Sequence, residues 1–311
     1  MISVVIPSYN EGENLRENIS ELIDRLTEEA PEESFEVVVV DDHSTDETPS
    51  ILSALNRQDE RIRYLRLSKN GGSHTAIRAG LSRARGKCAI VVSADGQDNP
   101  ECIGEMIREW QGGAHIVWAL RERRDEPWLY RTFSRLFYWL LRSFNRSTNE
   151  DIDLSRADFY LLDRRVIEVI NNIKERNSSL FGLIAWLGYK QSAVEYKRRP
   201  RRSGRSKWSL QSRLKLATDW IIGFSGLPLR LTTYLGIAVS TLGLAYAVFI
   251  FVYALIGNPI EGWASLMIVV LLLSGVMLLS IGVSGEYLWR VLDETRGRPP
   301  FFVENESDEE R

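Results

Sequence analysis

Polar side chains capable of chemistry collect in three short stretches: Asp41-Asp42-His43-Ser44-Thr45-Asp46, Asn70-Gly71-Gly72-Ser73-His74 and Ser93-Ala94-Asp95-Gly96-Gln97-Asp98. Crowded carboxylates repel one another, and a divalent cation is the usual relief. Mg²⁺ or Mn²⁺ takes oxygen ligands and completes its shell with the phosphates of a substrate. Helix capping by Asp and Ser explains any one stretch; three together point to a shared site. A further acid stands in Asp158-Phe159-Tyr160-Leu161, with Asp151 and Asp153 close by in sequence. Pro7-Ser8-Tyr9-Asn10-Glu11-Gly12 lacks the glycine spacing of a dinucleotide fingerprint, which argues against NAD. His43, His74 and His115 are too scattered for a zinc centre. Cys88 and Cys102 form no CxxC pair and cannot build a disulfide framework, as expected of a reducing cytosolic setting.

These stretches matter because of what precedes them. Apolar, β-rich runs at Ile2 to Pro7, Glu36 to Val40, Ile62 to Leu67, Cys88 to Val92 and His115 to Ala119 alternate with helical patterns at Glu11 to Glu29, Pro49 to Gln58, Ser73 to Arg85 and Glu101 to Trp110. Thr48 reads as the N-cap of the second helix, with Pro49 at its first position. The alternation predicts an α/β fold with a mostly parallel sheet. Val37-Val38-Val39-Val40 is apolar throughout, as a strand buried on both faces should be. Ligands in such sheets sit beyond the carboxyl ends of the strands, where the polar stretches fall.

The last third of the chain differs. No charged residue occurs from Leu231 to Ile256 or from Trp263 to Ser284, and only six residues separate the runs. Each is long enough to cross a hydrocarbon core of about 30 Å, and hiding both in a soluble core would need a larger protein shell than remains. The intervening loop has no Lys or Arg, whereas Arg230 precedes the first run and Arg290, Arg296 and Arg298 follow the second. That bias puts both ends in the cytoplasm. The start of the chain carries no basic, cleavable leader, so export of the first part is not expected. A domain over residues 1–226, a two-helix membrane hairpin over 227–290 and a cytoplasmic tail over 291–311 follow as the expected organisation; the acidic end from Glu304 reads as a solvated tail.

Two basic segments flank the membrane part. Over Trp128 to Arg146, Arg131, Arg135, Arg142 and Arg146 fall within about 60° on a helical wheel, opposite Leu129, Phe133, Leu136, Phe137, Leu140 and Phe144. Such a helix fits a membrane surface. Seven of eleven residues from Lys197 to Lys207 are basic, in the juxtamembrane position where anionic lipids attract cations. With a net charge of only −3, no nucleic-acid partner is expected.

Taken in order, Val5-Ile6-Pro7-Ser8-Tyr9-Asn10-Glu11, Val40-Asp41-Asp42, Asn70 with Gly71 and Gly80, Ala94-Asp95-Gly96-Gln97, Asp158-Phe159-Tyr160-Leu161, Gly204-Arg205-Ser206-Lys207-Trp208 and Gly285-Glu286-Tyr287-Leu288 give a specific pattern. Over roughly residues 1 to 303 the chain resembles family 2 glycosyltransferases of the GT-A fold, in the branch that glycosylates polyprenyl phosphates. The resemblance implies a nucleotide-sugar donor, a polyprenyl-phosphate acceptor, Mg²⁺ or Mn²⁺, and an inverting transfer at the cytoplasmic face of a bacterial inner membrane. It places Pro7, Tyr9, Glu11, Asp41, Asp42, Ser93 and Ala94 around the nucleotide, Asp95 and Gln97 on the metal, and Asp158 as candidate base beside Asp95. Arg121, Arg131 and Ser134, with Arg202, Ser206 and Lys207, then meet donor or acceptor phosphates. In relatives the metal motif begins with Asp where this chain has Ser93, and Gly96 and Asn99 also depart from it, which predicts a looser loop. A polysaccharide or glycolipid synthase with another acceptor is the rival enzyme reading, although the Gln-x-x-Arg-Trp string of processive synthases is missing. A non-catalytic membrane scaffold is the other rival. Relatives with short hairpins assemble through them, leaving a homo-oligomer open.

Overall fold

The computed structural model describes residues 1–98, 100–122, 156–173, 175, 179–197, 227–256 and 262–307. It divides into two compact units, Met1–Ser209 with Pro299–Arg311, and Leu210–Arg298.

The first unit is built on one eight-stranded sheet. Its strands are β1 (Ile2–Ser8), β2 (Phe35–Asp41), β3 (Ile62–Leu67), β4 (Cys88–Val91), β5 (Ile116–Arg121), β6 (Ala157–Asp163), β7 (Gln191–Tyr196) and β8 (Val303–Glu306), in spatial order β7-β5-β6-β4-β1-β2-β3-β8. The β1–β2, β1–β4, β2–β3 and β5–β7 pairs are parallel; β6 runs antiparallel between β4 and β5, and β8 antiparallel along β3. This is the GT-A arrangement expected from the sequence.

Side-chain alternation explains why β2 is uniformly apolar. Val37 and Val39 enter the core under one face while Val38 and Val40 enter the core under the other, so all four are buried, and β-branched side chains suit the pleat. Helix α1 (Gly12–Glu29) presents Leu15, Ile19, Leu22, Ile23 and Leu26 to the first core, a stripe at i, i+4, i+7, i+8 and i+11. Helix α2 (Thr48–Gln58) starts one residue earlier than predicted. Thr48 is its first helical residue rather than its cap, and Asp46 Oδ1 accepts the Thr48 N–H at 3.0 Å. Helix α3 (Ser73–Arg83) lays Ala76 and Ala79 on the second core. Gly80 allows the close approach: a Cβ there would stand 2.4 Å from Val5 Cγ1 and 3.0 Å from Val40 Cγ2. Helices α4 (Ile103–Gln111), α5 (Arg164–Asn172) and α6 (Leu180–Trp186) complete the layers, the last two capped by Asp163 and Ser179 side chains that accept the N–H groups of Arg165 and Gly182.

At the edge where the parallel strands begin, Glu36 is buried yet paired. It accepts from Ser3 Oγ at 2.6 Å, Arg63 Nη1 at 2.8 Å and the Arg85 N–H at 2.6 Å. A buried carboxylate needs such partners to persist.

The acidic end departs from the expected solvated tail. Val303–Glu306 is β8, with Arg83 Nε donating to both Glu306 oxygens at 2.9 and 3.0 Å and the Ser307 N–H donating to Tyr64 O at 3.0 Å. Phe301 and Val303 pack on Val38, Val40, Leu65 and Leu67. Phe301 and Val303, just ahead of the acids, let the segment cover the β3 edge, which the run of acids conceals from a reading of charge.

The second unit contains two long helices, α7 (Leu227–Leu255) and α8 (Trp263–Thr295). At 1.5 Å per residue they are about 44 and about 50 Å long, longer than a hydrocarbon core. Large apolar side chains are open on their surfaces: Leu242 is 71%, Phe251 66% and Leu278 70% exposed. Each helix has a stretch long and apolar enough to cross a membrane. In α8 that stretch can be drawn as Leu272–Thr295, but its end includes Glu286, Arg290, Asp293 and Glu294. Charges are costly in hydrocarbon, and the uncharged part of the helix ends at Ser284.

Candidate active site

Strand register brings the candidate residues to one edge. Ser8 of β1 is level with Asp41 of β2, and Asp41 with Arg66 of β3. On the other side of β1, Val91 of β4 is level with Tyr160 of β6; continuing that register by two residues puts Asp158 level with Ser93. The β5–β6 register jumps between Ala119, opposite Phe159, and Leu120, opposite Ala157. Asp158 is the extra residue of that bulge. Bulges re-aim a strand next to functional sites, and this one lies beside the loop that leaves β4.

Loop geometry at β1 and β2 is set by reciprocal hydrogen bonds. The Asn10 N–H donates to Ser44 Oγ at 2.9 Å, while Asn10 Oδ1 accepts the Thr45 N–H at 2.8 Å. Asp46 Oδ2 accepts the Gly12 N–H at 3.2 Å. Both loops contain a left-handed residue, Asn10 at φ 52° and His43 at φ 61°, a conformation that non-glycine residues hold only when their surroundings enforce it. Pro7 closes β1 opposite Val40, Tyr9 follows it exposed, and Glu11 is half-buried at the start of α1. Pro7, Tyr9 and Glu11 therefore follow one another along the chain from the end of β1 to the start of α1.

Asp41 and Asp42 are both buried. Asp41 Oδ1 accepts the Ser44 N–H at 2.9 Å and Oδ2 accepts Arg66 Nη1 at 2.5 Å. Asp42 takes the Gly71 and Gly72 N–H groups at 2.7 and 2.8 Å, one on each oxygen. Burial pushes the Asp42 carboxyl up, against the two N–H bonds, which favour its charge. A carboxylate has about four lone-pair positions, and these bonds leave some of them unfilled on each acid. The first and second polar stretches are thus joined through Asp42.

The β4 loop is pinned rather than loose. Ser93 Oγ donates to Asp95 Oδ1 at 2.7 Å, the same oxygen accepts the Gln97 N–H at 3.1 Å, and Asp98 Oδ2 accepts the Ser93 N–H at 2.7 Å. Asn18 of α1 donates to Ala94 O at 2.8 Å. Gly96 turns the loop at φ 69°, where a Cβ would also lie 2.7 Å from Asn18 Oδ1. The departure at Gly96 accordingly tightens the loop against α1. Ser93, Asp95 and Gln97 are half-buried. Among the described residues no three His, Cys, Asp or Glu side chains gather into a self-sufficient metal cluster. A carboxylate, an amide oxygen and a hydroxyl are hard oxygen donors, which fits Mg²⁺ or Mn²⁺ in a shell shared with substrate phosphates.

Arg121 ends β5 opposite Tyr196, half-buried, and its carbonyl accepts Arg156 Nε at 2.6 Å. Arg131, Ser134, Arg202, Ser206 and Lys207 lie outside the described residues, as do both basic segments as wholes apart from Lys197. Sequence reasoning missed Asn18 and Arg66. Arg66 carried a usable signal: Arg63 and Arg66 interrupt an otherwise apolar strand of a covered sheet, and buried arginines require anionic partners.

A family model described as glycosyl transferase family 2 matches residues 3–170. A protein of Synechocystis sp. described as an uncharacterized glycosyltransferase is 39% identical over 304 residues, covering 97% of this chain and 94% of its own. The bactoprenol glucosyl transferase of Shigella phage SfV is 36% identical over 307 residues, 98% of each chain. Among solved structures, glucosyl-3-phosphoglycerate synthase from Mycobacterium tuberculosis aligns with a TM-score of 0.48 at 17% identity, over 71% of this chain and 77% of that one.

Proposed function

The chain belongs to glycosyl transferase family 2, and from that premise we propose that it transfers a hexosyl unit from a nucleotide sugar to a polyprenyl phosphate at the cytoplasmic face of a bacterial inner membrane. The observation that carries this reading is the joining of the β1, β2, β3 and β4 loops at one sheet edge through Asp42, Asn10 and Asn18, in a chain that resembles a bactoprenol glucosyl transferase from end to end. We keep the organisation into a domain at 1–226, a hairpin at 227–290 and a tail, with Val303–Glu306 of the tail returned to the sheet as β8.

Pro7, Tyr9, Glu11, Asp41 and Asp42 hold the nucleotide, a carboxylate being able to accept an imide N–H of the base. Ser93 and Ala94 border the ribose. Asp95 and Gln97 would hold Mg²⁺ or Mn²⁺ on the donor pyrophosphate, supplying positive charge to the leaving nucleoside diphosphate. Ser93 orients the Asp95 carboxylate through its hydroxyl, where a second carboxylate would repel it. A lipid monophosphate has its second pKa near ~6, so the acceptor needs little deprotonation and Asp158 orients it for attack. Arg121, Arg131, Ser134, Arg202, Ser206 and Lys207 bind phosphate oxygens, a task for which the planar guanidinium fork is suited. An in-line displacement inverts the anomeric carbon, giving a β-linked product from an α-linked donor.

The test incubates detergent-purified protein with Mn²⁺ or Mg²⁺, a polyprenyl phosphate and a panel of UDP-, GDP- and dTDP-sugars, beginning with UDP-glucose. Glycolipid of inverted configuration from one donor, lost on adding a chelator, is the expected result. Asp95→Ala should lower turnover by about 100-fold or more; unchanged turnover would remove Asp95 from the metal site. Donor binding without any transfer would favour the scaffold instead.

A further inference from the structure

Strand β8 reaches the donor edge from beyond the membrane hairpin. It runs along β3 with Asn305 opposite Arg66. Arg66 uses both edges of its guanidinium: Nη1 donates to Asp41 Oδ2 at 2.5 Å, Nη2 to Ser44 O at 3.1 Å, and Nε to Glu304 Oε2 at 3.0 Å. The same Glu304 oxygen lies 3.6 Å from His43 Nδ1. That ring nitrogen is 3.1 Å from Leu67 O; a carbonyl only accepts, so Nδ1 carries the proton. The strand is firmly seated, since the Ser68 N–H donates to Phe302 O at 2.9 Å and Phe301 and Val303 pack on the core.

We propose that Glu304 is a positioning residue for the donor site, acting through Arg66 to fix the orientation of the Asp41 carboxylate, so that the segment after the hairpin completes the nucleotide end of the sheet. The proposal rests on the reading that Asp41 meets the nucleotide. Its physical basis is the rigidity of the guanidinium plane: holding Nε fixes where the Nη atoms point. Asp41 is fully buried on a strand end and has little freedom to recover an orientation once its partner turns. As a half-exposed ion pair, Glu304 with Arg66 does little for stability; its effect lies in placement. Burial opposes the charge on Arg66, but Glu304 and Asp41 outweigh it and keep the guanidinium's pKa above its ordinary value.

Full-length protein in detergent, assayed with the donor that yields glycolipid, separates the possibilities. Glu304→Gln should raise the donor KM by about fivefold, with kcat at saturating donor and the acceptor KM unchanged. Asp41→Asn should raise the donor KM further. In the double variant Glu304→Gln should add nothing, because a residue acting through Asp41 has nothing left to position. Equal effects of Glu304→Gln in both backgrounds, or none in the parent, would overturn the proposal while leaving Asp41 at the nucleotide. An unchanged donor KM in Asp41→Asn would overturn the nucleotide reading and the proposal together. Should Glu304→Gln fold poorly by thermal melting, Arg66→Lys keeps the charge without the fork; the same rise in donor KM supports the relay, and an unchanged KM overturns it.

Discussion

Both oxygens of Asp42 are committed to backbone N–H groups, although burial holds its carboxyl above the ordinary 3.8. The two facts oppose each other, and the raised pKa says that desolvation is the larger. A carboxyl raised in the folded state binds its proton more tightly there than in the unfolded chain. Its protonation therefore contributes stability that is complete below 3.8 and lost as pH rises through the folded value. Asp46 has the reverse sign: burial is outweighed by the Thr48 and Gly12 bonds, its pKa is lowered, and its contribution is present above 3.8 and lost on acidification. Asp42→Asn puts an NH₂ group against one of the two glycine N–H groups, leaving a donor unpaired. The expected cost is about 1–3 kcal/mol, seen as a lower melting temperature, with a smaller fall in stability than the parent as pH rises through the Asp42 folded value. At this scale the sequence revealed the acids but not their duties. Asp42 and Asp98 read as ligand groups by type, yet each spends oxygens on loop N–H groups, a commitment visible only when residues far apart in the chain are brought together.

Elements were more legible than residues. The first five strands are where alternating apolar runs placed them, because a strand buried on both faces has little choice of composition. Strands β6, β7 and β8 escaped notice for a common reason: they are antiparallel or edge strands with polar positions, such as Glu195 and Glu304, that carry no clean periodicity. Helix α3 illustrates a different point, since its approach to the sheet depends on one missing side chain. With the Cβ position of Gly80 only 2.4 Å from Val5 Cγ1, Gly80→Ala must displace either the helix or β1. Helix propensity alone favours Ala by about 1 kcal/mol, so the sign of the effect distinguishes packing from propensity. Overpacking is expected to win, with a net loss of about 1–2 kcal/mol by chemical denaturation of the protein in detergent. Donor affinity should fall with it, because Gly72, the residue just before α3, donates its N–H to Asp42.

At the scale of the whole molecule, the question is what solvent the second unit was built for. Helices α7 and α8 expose Leu, Phe, Ile and Val along their length, and in water every 100 Å² of such surface costs about 2.5 kcal/mol. Neither candidate span buries its side chains within the described residues, and each is long and apolar enough to cross a membrane, where that exposed surface would meet lipid. Reading two long apolar helices from sequence required only the absence of charge over two runs, which is why they were legible before any coordinates. Leu244 stands near the middle of α7 and is 68% exposed. Placing Arg there should disfavour insertion by about 2.5–3.5 kcal/mol, and the variant should leave the membrane fraction under alkaline extraction where the parent stays. The opposite result is equally informative: on a helix facing water, Leu244→Arg would remove exposed apolar surface and improve solubility without loss from any membrane. Because Leu244 lies far in sequence from every site residue, its effect on glycolipid synthesis measures how much of the reaction depends on anchoring the domain beside its lipid acceptor. Turnover with long polyprenyl phosphates in vesicles should drop with extraction of the protein, whereas binding of the soluble nucleotide-sugar donor should persist.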